Sequence, residues 1–335
     1  MIGDKLSIST APFLKDDDST PKIMFLVVYT LMPVVAVSFY FFGLAAILVT
    51  ITSVFSCMFT EWVFNTSGDR SRSLKDGSGL ITGLLLALTL PPGFPLWMVF
   101  LGGVVAIGMG KVIWGGLGQN VFNPALLGRA FLQAAFPTAI TTWSPPDGRF
   151  FGLRGTNLAM PMMQGKNIDG ATGATPLAKM KFEQVGTDTM DLLLGNTGGS
   201  LGETCGILLI LAGIFLLVRK IINWRIPLSI VLTVSIFSGI FWMIDPARYP
   251  SPVFMILSGG MLLGTVYMAT DLVTSPLTPK GCWVFGIGIG LLIVLIRNWG
   301  GLPEGVMYAI LLMNAATPLI NKYTKIRTYG HEKAK

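Results

Sequence analysis

Long apolar runs separated by polar or glycine-rich connections dominate this chain. The runs occupy roughly 23–42, 44–64, 78–90, 94–112, 122–136, 203–219, 226–244, 252–270, 281–298 and 304–320. A helix that crosses a bilayer needs about 20 consecutive apolar residues, with about 17–25 the usual range. Most runs meet that length, but 78–90 and 122–136 are short, and Gly259-Gly260 interrupts the run at 252–270. The pattern predicts an all-α integral membrane protein with about ten transmembrane helices, some of them short or broken. It divides into a polar N-terminal segment 1–22, a first five-span half 23–136, a long polar loop 137–202, a second five-span half 203–320 and a tail 321–335.

Composition narrows the class. The 335 residues are 52% hydrophobic and only 12% charged, with a mean hydropathy of +0.67. A soluble domain carries roughly 25% charged residues, so a water-facing shell cannot be built from this inventory. Forty glycines and 17 methionines suit helices that approach closely in lipid. Disorder, a collagen-like fibre and a disulfide scaffold are excluded. The opening segment, with Asp16-Asp17-Asp18 between Lys15 and Lys22, lacks the basic start, short apolar core and cleavage site of a secretory signal.

Basic residues set the orientation. With the N-terminus cytoplasmic, ten spans return the C-terminus to the cytoplasm. The inner connections then hold Lys75, Lys111, Arg219, Lys220, Arg225 and Lys280, while the short outer ones hold only Arg248 and Arg297. The loop 137–202 falls outside, in a multi-pass protein of a bacterial or archaeal plasma (inner) membrane. The net charge of +7 reads as a topology signal and gives no reason to expect nucleic acid. Surrounding lipid is the implied partner.

Cys57, Cys205 and Cys282 lie far apart in or beside apolar runs, and His331 is the only histidine. No metal site is expected from such spacing, and bis-histidine haem or histidine relay chemistry is excluded. The thiols read as small buried hydrophobes. An internal repeat is visible as well. Trp114-Gly115-Gly116-Leu117 recurs 185 positions later as Trp299-Gly300-Gly301-Leu302, and Thr89 and Pro91 match Thr274 and Pro276 at the same offset. With an odd number of spans in each half the copies face opposite ways, as inverted repeats require.

The loop 137–202 contains Asp169-Gly170-Ala171-Thr172-Gly173-Ala174-Thr175-Pro176-Leu177. Pro176 disfavours helix at Thr175 and suits a first helical position. Thr175 therefore reads as the N-cap of a short helix over 176–184, whose free N–H groups suit a phosphate. On local physics alone, a capped helix in a loop also satisfies the pattern. The methionines Met160, Met162 and Met163 read as packing residues.

Motifs spread from end to end make the chain resemble a known family. They include Leu6-Ser7-Ile8-Ser9 with Ser19-Thr20, Asp76-Gly77-Ser78-Gly79 leading to Leu90-Pro91-Pro92, Gly118-Gln119-Asn120-Val121-Phe122-Asn123-Pro124-Ala125, and Gly128-Arg129-Ala130. The second half adds Met268-Ala269-Thr270-Asp271, Thr274-Ser275-Pro276, Pro303-Glu304-Gly305 and the run from Ala309 to Asn314. The chain resembles the D-subunits of the Rnf ion-translocating electron-transport complexes, relatives of the B-subunit of the sodium-pumping NADH:quinone reductase. That family's flavin-attachment signature, Ser/Thr-Gly-Ala-Thr, is met by Thr172-Gly173-Ala174-Thr175. The resemblance implies FMN linked through its phosphate to the Thr175 hydroxyl by a separate flavin transferase, on the outer side of the membrane. It also implies a redox-driven translocase in which this chain, with no complete active site of its own, joins the other members of an Rnf complex. The complex passes electrons between ferredoxin and NAD, coupled to sodium or proton movement.

Other polar residues near the membrane are weaker candidates. An intramembrane charge marks a functional site by default, so Arg129, with Asn123 at the start of its run, is a candidate contact for a second, non-covalent flavin such as riboflavin. Pairing of Arg129 with a carboxylate satisfies the pattern equally. Glu203, Asp271 and Glu304 are candidates for an ion path, with interfacial anchoring as the plain reading. A small-solute channel or secondary transporter built from inverted repeats competes with the redox reading, and the B-subunit of the sodium-pumping reductase is a milder alternative. The short N-terminal segment favours the Rnf type.

Overall fold

The computed structural model describes residues 19–64, 74–145, 150–152, 157–161, 173–203 and 205–325. The N-terminal motif at Leu6, the acidic run at Asp16, Thr172, Met162, Met163 and residues 326–335 with His331 lie outside the described residues. Every apolar run carries helix, and no strand occurs among the described residues. The first half comprises α1 (Thr20–Phe42), α2 (Leu44–Phe64), α3 (Ser78–Leu88), α4 (Leu96–Ile107, extended by a π-helical turn Gly108–Val112), α5 (Pro124–Ala135) and the short α6 (Pro137–Ile140). The loop contributes α7 (Pro176–Ala178, running into a π-helical turn Lys179–Glu183) and α8 (Thr189–Leu194). The second half comprises α9 (Gly206–Val218), α10 (Arg225–Ile244), α11 (Pro252–Leu257), α12 (Met261–Leu263, extended by a π-helical turn Gly264–Met268), α13 (Pro279–Trp299) and α14 (Val306–Tyr323). Four of these, α1, α2, α10 and α13, are long and apolar enough to cross a membrane; α3, α4 with its π turn, and α9 are apolar but shorter.

Local sequence sets many helix starts. A capping side chain precedes a proline at α5, α7, α11 and α13. There Asn123, Thr175, Ser251 and Thr278 accept hydrogen bonds from backbone N–H groups of the first turn. The side chain satisfies an orphan donor while proline fills a position whose N–H has no partner.

Packing repeats between the halves. In the first, α2 lies on α3 and α4, and α4 on α5; in the second, α10 lies on α11 and α13, and α13 on α14. Across the halves α1 meets α9, and α5 meets α14, so first helix touches first and last touches last. The 185-residue offset carries α5 onto 309–320, inside α14. Close approach of the paired helices rests on small residues. A Cβ on Gly103 would collide with Ser56, and one on Gly286 with Ser229, the matching fourth-to-second helix contact of the other half. All three cysteines are free and buried, as the sequence suggested. Met160 is not packed as expected; its side chain is 66% exposed.

The interruption at 258–260 is a true break. Gly259 has φ +65°, which favours glycine, and a side chain there would also strike Leu177 of α7. The break leaves open carbonyls at the end of α11 and open N–H groups at the start of α12, deep in the protein. Their partners form the centre of the functional site.

Candidate functional site

Thr175 sits where the loop returns to the membrane domain. Its extended backbone (φ −66°, ψ 156°) makes it the N-cap of α7, and its Oγ1 accepts a hydrogen bond from the Ala178 N–H at 3.2 Å. The residue is 6% exposed. The approaching chain is held where the Gly173 N–H donates to the Trp143 carbonyl at 2.9 Å. Ala174 is exposed and Gly173 half-buried. Beyond Thr175, Leu177 packs with Leu192 and Phe254. Lys181 reaches the C-terminus of α13, its Nζ donating to the carbonyls of Gly300 (2.5 Å) and Leu302 (2.9 Å). A cation at a helix C-terminus is favoured by the dipole. Burial against this surface lowers the pKa of the Lys181 ammonium from the ordinary lysine value.

Thr175 lines a small cavity of about 40 Å³ together with Arg129, Gln133, Glu203, Gly259 and Glu304. The charges there serve the broken helix. Glu304 accepts from the Gly260 N–H through Oε1 at 2.9 Å and from Arg129 Nη2 through Oε2 at 2.7 Å. Arg297 donates to the Met255 carbonyl (2.5 Å) and the Ser258 carbonyl (3.0 Å). An anion thus caps the opening N–H of α12 while a cation caps the closing carbonyls of α11, the signs the two helix dipoles require. Glu203 accepts from Ser200 Oγ at 2.8 Å. The Nε atoms of Arg129 and Arg297 are buried without a hydrogen-bond partner among the described residues.

A second cavity, of about 100 Å³, is lined by Lys111, Asn120, Asn123, Tyr267 and Asp271. Asn123 holds the N-terminus of α5 through Oδ1 and donates to the Met268 carbonyl at 3.4 Å. The Asn120 Oδ1 is buried without a partner among the described residues. Asp271 accepts from the Val273 N–H and the Thr274 hydroxyl, each at 3.3 Å. The structure therefore brings Arg129, Glu203 and Glu304 together beside Thr175, and separates them from Asn123 and Asp271. Asn123 and Arg129, though on one helix, line different cavities.

Two features escaped the sequence. Lys111, counted there as an inner flanking charge, is buried and donates to Glu61 Oε1 (2.6 Å) and Ser78 Oγ (2.5 Å), with Asp76 Oδ2 at 3.9 Å. The π-helical turn of α4 carries this lysine. Its position inside the apolar run 94–112 was the available signal, because an intramembrane cation needs a partner. Arg297, counted as an outer loop charge, is also buried, at 4% exposure. It lies inside the apolar run 281–298, so the same signal that marked Lys111 was available for it.

The sequence pattern of the NQR2, RnfD, RnfE family matches residues 7–330. The D-subunit of the proton-translocating ferredoxin:NAD(+) oxidoreductase complex of Clostridium ljungdahlii is 40% identical over 334 residues, spanning 97% of this chain and 96% of that one. The D-subunit of the Na(+)-translocating ferredoxin:NAD(+) oxidoreductase complex of Acetobacterium woodii is 39% identical, over 98% and 97%. The D-subunit of the ion-translocating oxidoreductase complex of Stutzerimonas stutzeri is 42% identical, over 93% and 92%.

Proposed function

As the chain belongs to the NQR2, RnfD, RnfE family, we propose that it is the membrane subunit of an ion-translocating ferredoxin:NAD oxidoreductase complex, carrying electrons through an FMN esterified to Thr175 and coupling them to sodium or proton movement. The observation that carries this reading is the state of the Thr175 hydroxyl. Its bond to the Ala178 N–H uses an oxygen lone pair and does not involve the hydroxyl hydrogen. Esterification replaces only that hydrogen, so the residue can hold a phosphoester and go on capping α7. Arg129 lines the same cavity with an unused Nε donor, a charge-assisted partner for a phosphate. The donor set fits the group.

The bound flavin would supply the one-electron chemistry that this chain's side chains lack. The protein's part is to hold it. Pro176 and the Thr175 cap fix where the attachment point leaves the loop, and Lys181 moors the helix to α13. A second, non-covalent flavin is proposed for the cavity of Asn120 and Asn123, where an amide oxygen lacks a partner among the described residues; Arg129, on the other cavity, is left out of it. Glu203 and Glu304 near Thr175, and Asp271 at the other cavity, remain the proposed ion-path carboxylates. The other members of the complex and a flavin transferase are the proposed partners. Relatives named for protons and for sodium match equally well, at 40% and 39% identity, so overall likeness does not select the ion.

The proposed arrangement is ten spans in two inverted halves of a bacterial or archaeal plasma membrane, both termini cytoplasmic and Thr175 outside. The repeated packing and the first-to-first, last-to-last contacts support it. Val185 is exposed beyond α7, and Tyr323 is exposed at the end of α14. A cysteine at Val185 should react with a membrane-impermeant maleimide on intact cells, and one at Tyr323 only after lysis. The native thiols are buried, so background labelling is low. The opposite pattern overturns the orientation. For the redox reading itself, the wild-type chain, denatured and washed free of loose ligand, should fluoresce as flavin. A colourless band returns the protein to the transporter class.

A further inference from the structure

Next to the Thr175 cavity, along α7 and its π-helical turn, lies a larger hollow of about 310 Å³, within the roughly 300–1,000 Å³ of small-molecule sites. Leu177 and Pro303 line both, so the two adjoin. Its walls combine three kinds of chemistry. Tyr249 and Phe254 supply aromatic surface, Asn298 supplies amide donors and an acceptor, and Lys181, Arg248 and Arg297 supply positive charge. No carboxylate lines it among the described residues. Lys181 and Arg297 donate to neutral backbone carbonyls. Glu203 and Glu304, on the side of the Thr175 cavity, offset part of the Arg297 charge, while Lys181 and Arg248 face the hollow with no carboxylate in its described lining. Arg297 also keeps a buried Nε without a partner among the described residues. Arg248 is exposed and rests against the Tyr249 ring, 5.6 Å from its centroid.

We propose that this hollow receives the isoalloxazine ring of the flavin attached at Thr175, and that its cations set the flavin's reduction potential by favouring the charge that arrives with an electron. The proposal rests on the Thr175 reading and extends it to the residues that hold the ring. Lys181 lies six positions beyond Thr175, at most about 9 Å along a helix, a length that an extended phosphoribityl chain matches. The apolar and aromatic walls suit the ring's dimethylbenzene side, and the amide of Asn298 suits its hydrogen-bonding edge. The electron comes from a reduced partner in the complex and leaves to the next carrier. The ring gains one negative charge, no bond is made or broken, and no proton is required. The net positive lining favours that charged state, so it raises the potential, and removing Arg248 lowers it.

The test is a redox titration of the purified complex followed by flavin absorbance, with the Thr175→Val complex subtracted to isolate this flavin. Arg248 is exposed and holds no structural bond in the hollow, which makes Arg248→Gln the informative variant. At a fixed applied potential its reduced-to-oxidised ratio should fall about three- to tenfold, tenfold being about 59 mV for one electron. Arg248→Lys should restore the wild-type curve, and Asn298→Asp, which adds a negative charge, should shift it the same way as Arg248→Gln. Superimposable titrations in variants whose denatured bands still fluoresce overturn the proposal, as does an equal shift in Arg248→Lys. Loss of fluorescence from the wild-type band is a different failure, that of the Thr175 attachment.

Discussion

Replacing Thr175 with valine should remove flavin fluorescence from the denatured chain completely and stop electron transfer through the complex. Valine has no hydroxyl to esterify, Gly173 and Ala174 carry no nucleophile, and the motif's other hydroxyl, Thr172, is not the position that the attachment signature esterifies. The structural cost is small by comparison. Losing an N-cap costs about 1 kcal/mol, and α7 is also held by Leu177 and by the Lys181 bonds to α13. Thr175→Asn separates the two effects. Asparagine caps a helix as well as threonine does but offers no oxygen for a phosphoester, so this variant should assemble with wild-type stability and carry no fluorescence. Fluorescence retained in both variants would move the attachment point elsewhere.

The second large effect concerns stability. Glu304→Leu should lower the stability of the detergent-solubilised protein by about 3 kcal/mol, near the lower end for breaking a buried ion pair, since 19% of the Glu304 side chain remains exposed. Two groups lose their partner together: the Arg129 guanidinium, buried in α5, and the Gly260 N–H at the start of α12. Arg129→Met combined with Glu304→Leu should recover much of the loss, because a charge pair replaced by apolar side chains no longer leaves an uncompensated ion. Recovery should be incomplete by the Gly260 bond. If the double variant is as unstable as the sum of the singles, the two residues act independently and the pairing carries no energy.

Local rules made much of the fold legible. Every apolar run carries helix, because an apolar segment must satisfy its backbone polar groups internally, but only α1, α2, α10 and α13 are long and apolar enough to cross a membrane. The start of α7 reads from Thr175 before Pro176, and the structure shows the same cap-proline pair at three further helix starts. The Gly259-Gly260 interruption became a break because a left-handed residue ends a helix. Long-range pairing was not legible. Arg129 and Glu304 are 175 positions apart and Lys111 and Glu61 are 50 apart; their meeting depends on which helix faces pack, and hydropathy does not encode that. Asn123 and Arg129, six positions apart on one helix, read as one site and line two. The π-helical turn that carries Lys111 likewise leaves no mark in a pattern built on a 3.6-residue period. The candidate site was thus half visible. Its attachment residue came from a motif and a cap, and its charged floor came only from tertiary packing.

The order in which a ribosome delivers these residues gives the break between α11 and α12 a further meaning. Arg129 enters the membrane with the fifth apolar run, long before its carboxylate exists. The open ends at 258–260 follow, and their caps, Arg297 and Glu304, are synthesised later still. Until Glu304 is made, Arg129 has only Glu203 nearby as a counter-charge among the described residues, and the opening N–H of α12 stays uncapped. Glu304 supplies a hydrogen-bonded counter-charge to the first half and a cap to the second in one step. A polypeptide ending before residue 304 is therefore marked as unfinished by its own chemistry, with exposed polar defects of the kind that membrane proteases and insertion chaperones act on.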